Sequence, residues 1–101
     1  MTTVNSVTGP ISTDDLGFTL MHEHVMVSAS GLYDSYPGLL GPDREDRAVK
    51  ALVDAREGGV DTMIDATTFD LGRKAPLLAE VSKRSGVNII NVTGWWLDVP
   101  R

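Results

Sequence analysis

The chain holds two histidines, His22 and His24, with a single residue between them. They stand in Gly17-Phe18-Thr19-Leu20-Met21-His22-Glu23-His24-Val25-Met26, a run that otherwise reads as a buried β-strand. A strand repeats its side-chain direction every second residue, so both imidazoles leave one face, their Cα atoms about 6.5–7 Å apart. At that spacing two rings can lean toward one point and share a divalent cation, each with N–metal near ~2.0–2.1 Å. Glu23 then points to the opposite face and is no third ligand from this strand. The plainer alternative is that each histidine is a core or surface residue bonded to a carbonyl. A same-face pair inside an apolar strand fits that alternative less well, because four buried ring nitrogens would all need partners.

The surrounding elements are set by periodicity. Thr2 to Thr8 alternates polar and β-branched residues up to a Gly9-Pro10 turn, a short strand or hairpin arm expected to lie across the bottom of the later strands. Ser12 or Thr13 can start one helical turn that Gly17 ends. Thr19 to Val27 is the first core strand. Ser28 to Pro42 shows no helical period, and a loop of roughly 15 residues is uncommon unless it has a role; its Tyr33 and Tyr36 either close over a substrate or pack the loop. Asp43 opens a helix as its cap, with Asp46 in the capping-box position, and Ala48, Val49, Leu52, Val53 and Ala55 share one face. Gly58-Gly59 stops it. Val60 to Thr67 is a second strand, Pro76 to Gly86 covers a second helix, and Val87 to Thr93 is a third strand. Strand–helix alternation of this kind demands a parallel sheet with right-handed crossovers. Periodicity leaves open whether that sheet is doubly wound or a closed barrel. Neither G-x-G-x-x-G nor a P-loop comes after the first strand, which weakens a nucleotide-binding reading.

The wording around the histidines is more specific. Gly17-x-Thr19-Leu20-x-His22-Glu23-His24-Val25 closely resembles the first signature of the phosphotriesterase family of the amidohydrolase superfamily. Asp65-Ala66-Thr67-Thr68-Phe69-Asp70-Leu71-Gly72-Arg73 and Thr93-Gly94-Trp95-Trp96-Leu97-Asp98 are similar to that family's second- and third-strand segments, in the same order. The resemblance runs from about Gly9 to the end. It implies an α/β fold, a (β/α)8 TIM barrel with its site at the carboxyl ends of the strands. Such a barrel takes about 250 residues, so residues 1–101 are expected to be the N-terminal portion of one domain: an arm and about three βα units, with no second domain.

The resemblance also implies a binuclear metal hydrolase of ester bonds. Two divalent cations, zinc first with manganese, cobalt or iron as alternatives, would polarise P=O or C=O and acidify a bridging water. By motif match His22 and His24 would ligate the more buried metal, and Trp96 would bind substrate at the lip of the leaving-group pocket. The family's carboxylated lysine, two further histidines and aspartate would lie beyond Arg101. Catalytic zinc usually has three protein ligands, so the 101 residues alone are expected to be inactive, and no catalytic residue is assigned within them. Trp95 should face core or helix, Arg73 should be a structural ion-pair partner, and Asp65 receives no role. The substrate would be a phosphotriester or related ester. A lactone is the close alternative, although the family's lactonases tend to carry tyrosine where this chain has Gly94 to Asp98. A non-catalytic relative acting through binding is the competing class, and a structural metal site on an unrelated α/β protein is a third.

Composition sets outer bounds. The chain is 101 residues, 42% apolar and 23% charged, enough for one modest core. A net charge of −5 with scattered basic residues argues against nucleic acid as a partner. Zero cysteines exclude disulfides and thiolate zinc sites and suit a reducing compartment. Met1 to Pro10 lacks the basic and apolar segments of a signal peptide, and no apolar run nears the roughly 20 residues of a membrane span. The expected location is the cytoplasm, with a small-molecule ester as partner, no membrane, and a homodimer compatible with the resemblance.

Overall fold

Parallel β-strands alternate with helices through most of the chain. A computed structural model describes residues 2–28, 32–39 and 41–95, without the side chains of Tyr33 and Asp34. Strands β1 (Thr3–Ser6) and β2 (Gly9–Ser12) form an antiparallel hairpin. After a 3₁₀ turn at Thr13–Asp15 come β3 (Thr19–Glu23), the one-turn helix α1 (Leu32–Ser35), α2 (Arg44–Glu57), β4 (Thr62–Asp65), a 3₁₀ turn at Phe69–Leu71, α3 (Ala75–Ser85) and β5 (Asn88–Asn91). The sheet order is β3-β4-β5, both pairings parallel, as the βαβαβ alternation requires. Among the described residues no helix is long and apolar enough to cross a membrane.

Each strand is shorter than its apolar run. β3 ends at Glu23 rather than Val27, and the register explains why. Leu20 faces Met63 and Glu23 faces Asp65, so three residues of β3 run beside two of β4. That is a β-bulge, which bends the strand and ends regular pairing early. Gly17 prepares the strand's entry. Its φ of +63° is one that side chains rarely adopt, and a Cβ there would overlap the Asp61 carboxylate. The same carboxylate accepts the Phe18 N–H at 2.9 Å.

The helices lie where the apolar period puts them. Ala48 and Leu52 of α2 and Val81 of α3 close on Met63, Val87 and Ile89 to make the core, with Leu20, Val25 and Val49 packed around it. Pro76 sits within the first turn of α3, and Gly86 caps the helix with φ of +78°. The start of α2 differs from expectation. Asp43 makes no side-chain cap; its carboxylate meets Arg47 Nε at 3.2 Å instead. Asp46 does not reach back to the cap either. Both it and Glu45 hold Arg84 of α3, at 2.8 and 2.6 Å, and raise the pKa of that guanidinium, Asp46 most. A cross-helix charge pair has displaced a local one.

The segment after β3, expected to lack helix, contains α1. Tyr36 is 63% exposed. The hairpin arm, expected across the bottom of the sheet, is anchored by a bond to β5 near the amino end of that strand. Asn88 and Val92 donate their N–H groups to β4 or the residue before it, so the Ile89 carbonyl faces the other side, where Val7 N–H meets it at 2.9 Å. Trp96 and the residues after it lie outside the described residues.

Asp65, the last residue of β4, is completely buried. Its two oxygens accept backbone N–H groups from Thr67 at 2.8 Å and from Val25 at 3.3 Å. Asp65→Ala strips both donors of their acceptor and should cost on the order of 2–4 kcal/mol in urea unfolding, with faster amide exchange at Val25 and Thr67; Asp65→Asn, which keeps one acceptor, should lose less. Ile89→Ala, at a fully buried core position, should cost about 2–5 kcal/mol with no change in exchange at those two amides.

Candidate metal centre

The carboxyl ends of β3, β4 and β5 point the same way, and the segments leaving them are tied together. Ser28 N–H donates to the Leu71 carbonyl at 2.7 Å, joining the segment after β3 to the turn after β4. Arg73 Nη1 donates to the Val92 carbonyl at 2.8 Å, joining that turn to the end of β5. Arg73, expected to be a structural ion-pair partner, meets a carbonyl and not a carboxylate in this contact. Thr68 and Asp70 bond within the turn, which Gly72 closes at φ of +92°. Parallel sheets collect chemistry at this end, because loops from several strands converge there.

His22 lies within β3 and His24 comes immediately after its last residue. The bulge does not separate them. Their ring centres are 5.3 Å apart at an interplanar angle of 75°, so the two imidazoles meet edge to face. Both are exposed rather than buried, since nothing among the described residues covers them. Among the described residues, the partner sought for a ring nitrogen is present on His24, whose Nδ1 lies 2.9 Å from Thr67 Oγ1. That oxygen also lies 3.5 Å from the Met26 carbonyl. Among the described residues no group of three histidines, cysteines or carboxylates gathers to surround an ion.

Residues to which the sequence assigned no role contribute here. Thr67 is 1% exposed and Asp65 fully buried, and both serve the ends of β3 and β4. The segment Asp65 to Arg73 contains them, but a hydrogen bond across 43 positions leaves no local trace. Trp95 corrects an expectation of core packing. It is 50% exposed and sits edge-on to Phe69, itself 51% exposed, with ring centres 5.3 Å apart. The pair forms an apolar wall where the chain leaves β4 and β5. On the other side of Asp65 in the register, Asn91 ends β5 with a buried Oδ1 that has no hydrogen-bond partner among the described residues.

Known proteins resemble the chain over almost its whole length. A sequence profile of the Phosphotriesterase family matches residues 2–100. The Phosphotriesterase homology protein of Mycobacterium tuberculosis (strain H37Rv) is 39% identical over 104 residues, covering 99% of this chain and 32% of its own length. The Aryldialkylphosphatase of Saccharolobus solfataricus is 37% identical over 93 residues, covering 89% of this chain and 30% of its own. Among solved structures, the phosphotriesterase from Mycobacterium tuberculosis superposes with a TM-score of 0.87 at 39% identity, over 98% of this chain and 32% of that one. The chain thus spans about a third of the length of the curated relatives it matches. Its parallel sheet and helices correspond to consecutive βα units of that TIM barrel. With sequence and fold agreeing from one end of the match to the other, the chain belongs to the phosphotriesterase family of hydrolases.

Proposed function

We propose that the protein is a metal-dependent hydrolase of phosphotriesters or closely related esters, in which His22 and His24 are the first two metal ligands. The observation that carries this reading is the imidazole pair at the end of β3. Two imidazoles bound to one ion through a nitrogen each, at ~2.0–2.1 Å and near a tetrahedral angle, have ring centres roughly 5 Å apart. In the structure the ring centres of His22 and His24 lie 5.3 Å apart. Neutral imidazole suits zinc, manganese, cobalt and iron alike, and we take two zinc ions as the working assignment.

When bound, such ions act as Lewis acids toward the P=O or C=O oxygen and make water a nucleophile near neutral pH. His22 and His24 hold the ion at the mouth of the strands, and the Ser28–Leu71 and Arg73–Val92 bonds keep the bordering segments in place. Remaining ligands come from outside the described residues. Trp96 is the proposed wall for an apolar leaving group. These residues then form the first part of one (β/α)8 domain. The name of the Saccharolobus relative, an aryldialkylphosphatase, favours an aryl dialkyl phosphate as substrate over a lactone. The lack of cysteine suits the cytoplasm.

In the intact protein, His22→Ala or His24→Ala should lower bound zinc and cut kcat/KM for an aryl dialkyl phosphate by at least about 100-fold. A chelator should abolish turnover of the wild type, and added zinc should restore it. Assaying a lactone alongside ranks the two substrate classes by kcat/KM. Full metal content and full turnover in both histidine variants would overturn the assignment.

A further inference from the structure

The segment leaving the neighbouring strand contributes one hydroxyl to the histidine pair. Thr67 is buried, yet its Oγ1 reaches out to 2.9 Å from Nδ1 of the exposed His24. We propose that Thr67 is a positioning residue for His24: its hydroxyl accepts the Nδ1–H, fixing the tautomer and orientation of the ring, so that Nε2 is left as a bare lone pair for the cation. The inference rests on the reading of His24 as a ligand.

A threonine hydroxyl has one proton and two lone pairs, and a neutral imidazole carries one N–H. Two arrangements satisfy the contact. If the hydroxyl donates to Nδ1, the ring proton sits on Nε2 and neither nitrogen can ligate. If Nδ1–H donates to Oγ1, the hydroxyl proton needs another acceptor, and Nε2 is free. The Met26 carbonyl is that acceptor, 3.5 Å from Oγ1 and able only to accept. The bond is long, which makes the tautomer itself the quantity to measure. Ligand histidines commonly have their second nitrogen held in this way, and the holder sets ring basicity and direction.

The frame around the contact is rigid on both sides. Asp65 Oδ1 accepts the N–H of Thr67 itself, and Oδ2 accepts the N–H of Val25, the residue after His24. Ala66 N–H donates to the Glu23 carbonyl at 2.7 Å, tying the residues just before each partner. One buried carboxylate and one backbone bond thus hold the donor and acceptor in register, so little motion is needed for the ring to meet an ion.

Thr67→Val keeps the branched shape and removes the hydroxyl, whereas Thr67→Ser keeps the hydroxyl. In the intact protein, zinc affinity measured by competition with a chelating dye should fall about 10–100-fold for Thr67→Val and stay within about threefold for Thr67→Ser. In ¹⁵N-histidine spectra of the metal-free protein at alkaline pH, with His24 assigned through His24→Gln, the wild type and Thr67→Ser should show the Nδ1–H tautomer. Thr67→Val should shift toward Nε2–H. Unchanged zinc affinity in Thr67→Val, equal losses in both variants, or a wild-type ring protonated on Nε2 would each overturn the proposal. A wild type that binds no zinc would remove the ligand reading, while the tautomer spectra still decide the role of Thr67. Should Thr67→Val fail to fold, the wild-type and Thr67→Ser spectra carry the decision.

Discussion

Everything at the carboxyl end of this sheet leans on the buried carboxylate of Asp65. A parallel ladder satisfies backbone groups only while the strands run side by side, and here β3 and β4 part company at Glu23 and Asp65. Beyond that point the N–H groups of Val25 and Thr67 would be left without partners in a partly buried place, which costs free energy. Asp65 takes both. A buried charge is itself unfavourable, and two backbone donors offset that cost as charge-assisted hydrogen bonds. The strand ends are therefore fixed points from which the next segments depart.

Below this polar rim the sheet is built for packing. Met63 and Ile89 sit against Ala48, Leu52 and Val81, and the arm's Val7 joins them through the Ile89 carbonyl of β5. The change from apolar to polar comes within a residue or two along each strand: Met63 to Asp65 on β4, Ile89 to Asn91 on β5, and Leu20 to His22 on β3. In a TIM barrel such a gradient separates the packed middle of the strands from their carboxyl ends, where loops from several strands converge. The bulge in β3 lies at the transition, between Leu20, which packs against the core, and the exposed histidines, whose ring centres stand 5.3 Å apart.

What the sequence made legible was what is local. Pro76, Gly86 and the apolar stripe of α2 mark helices whose signals are a few residues long, and strand–helix alternation dictated a parallel sheet. The motif around His22 and His24 was equally readable, down to the meeting of their rings. What escaped depends on partners far along the chain. The bulge exists only relative to β4. Asp46 stood in the capping-box position, yet its carboxylate meets Arg84, 38 positions away. Burial of the histidines was inferred from apolar neighbours, but exposure is set by what packs over a face, and nothing among the described residues does. Trp95 was expected to face core or helix, but β5 ends at Asn91, so strand geometry does not direct its side chain.

The same long-range character decides where this structure tolerates change. Arg84, Glu45 and Asp46 join α2 to α3 on the outer, wetter layer, where charges are screened by water and salt. Altering them touches helix packing and leaves the strand ends alone. Asp65 and Thr67 are different in kind, because each serves the backbone of one strand and the histidine segment of another. Neither the end of β3 nor the end of β4 alone can present a held imidazole: the residue just after β3 brings the ring, and the segment leaving β4 brings the hydroxyl that meets its Nδ1. If His22 and His24 bind an ion, that binding and strand pairing would be linked, since any ligand that requires the paired arrangement stabilises it by mass action. A cation at His22 and His24 would then do more than prepare a reaction; it would hold the first two strands of the sheet to their register.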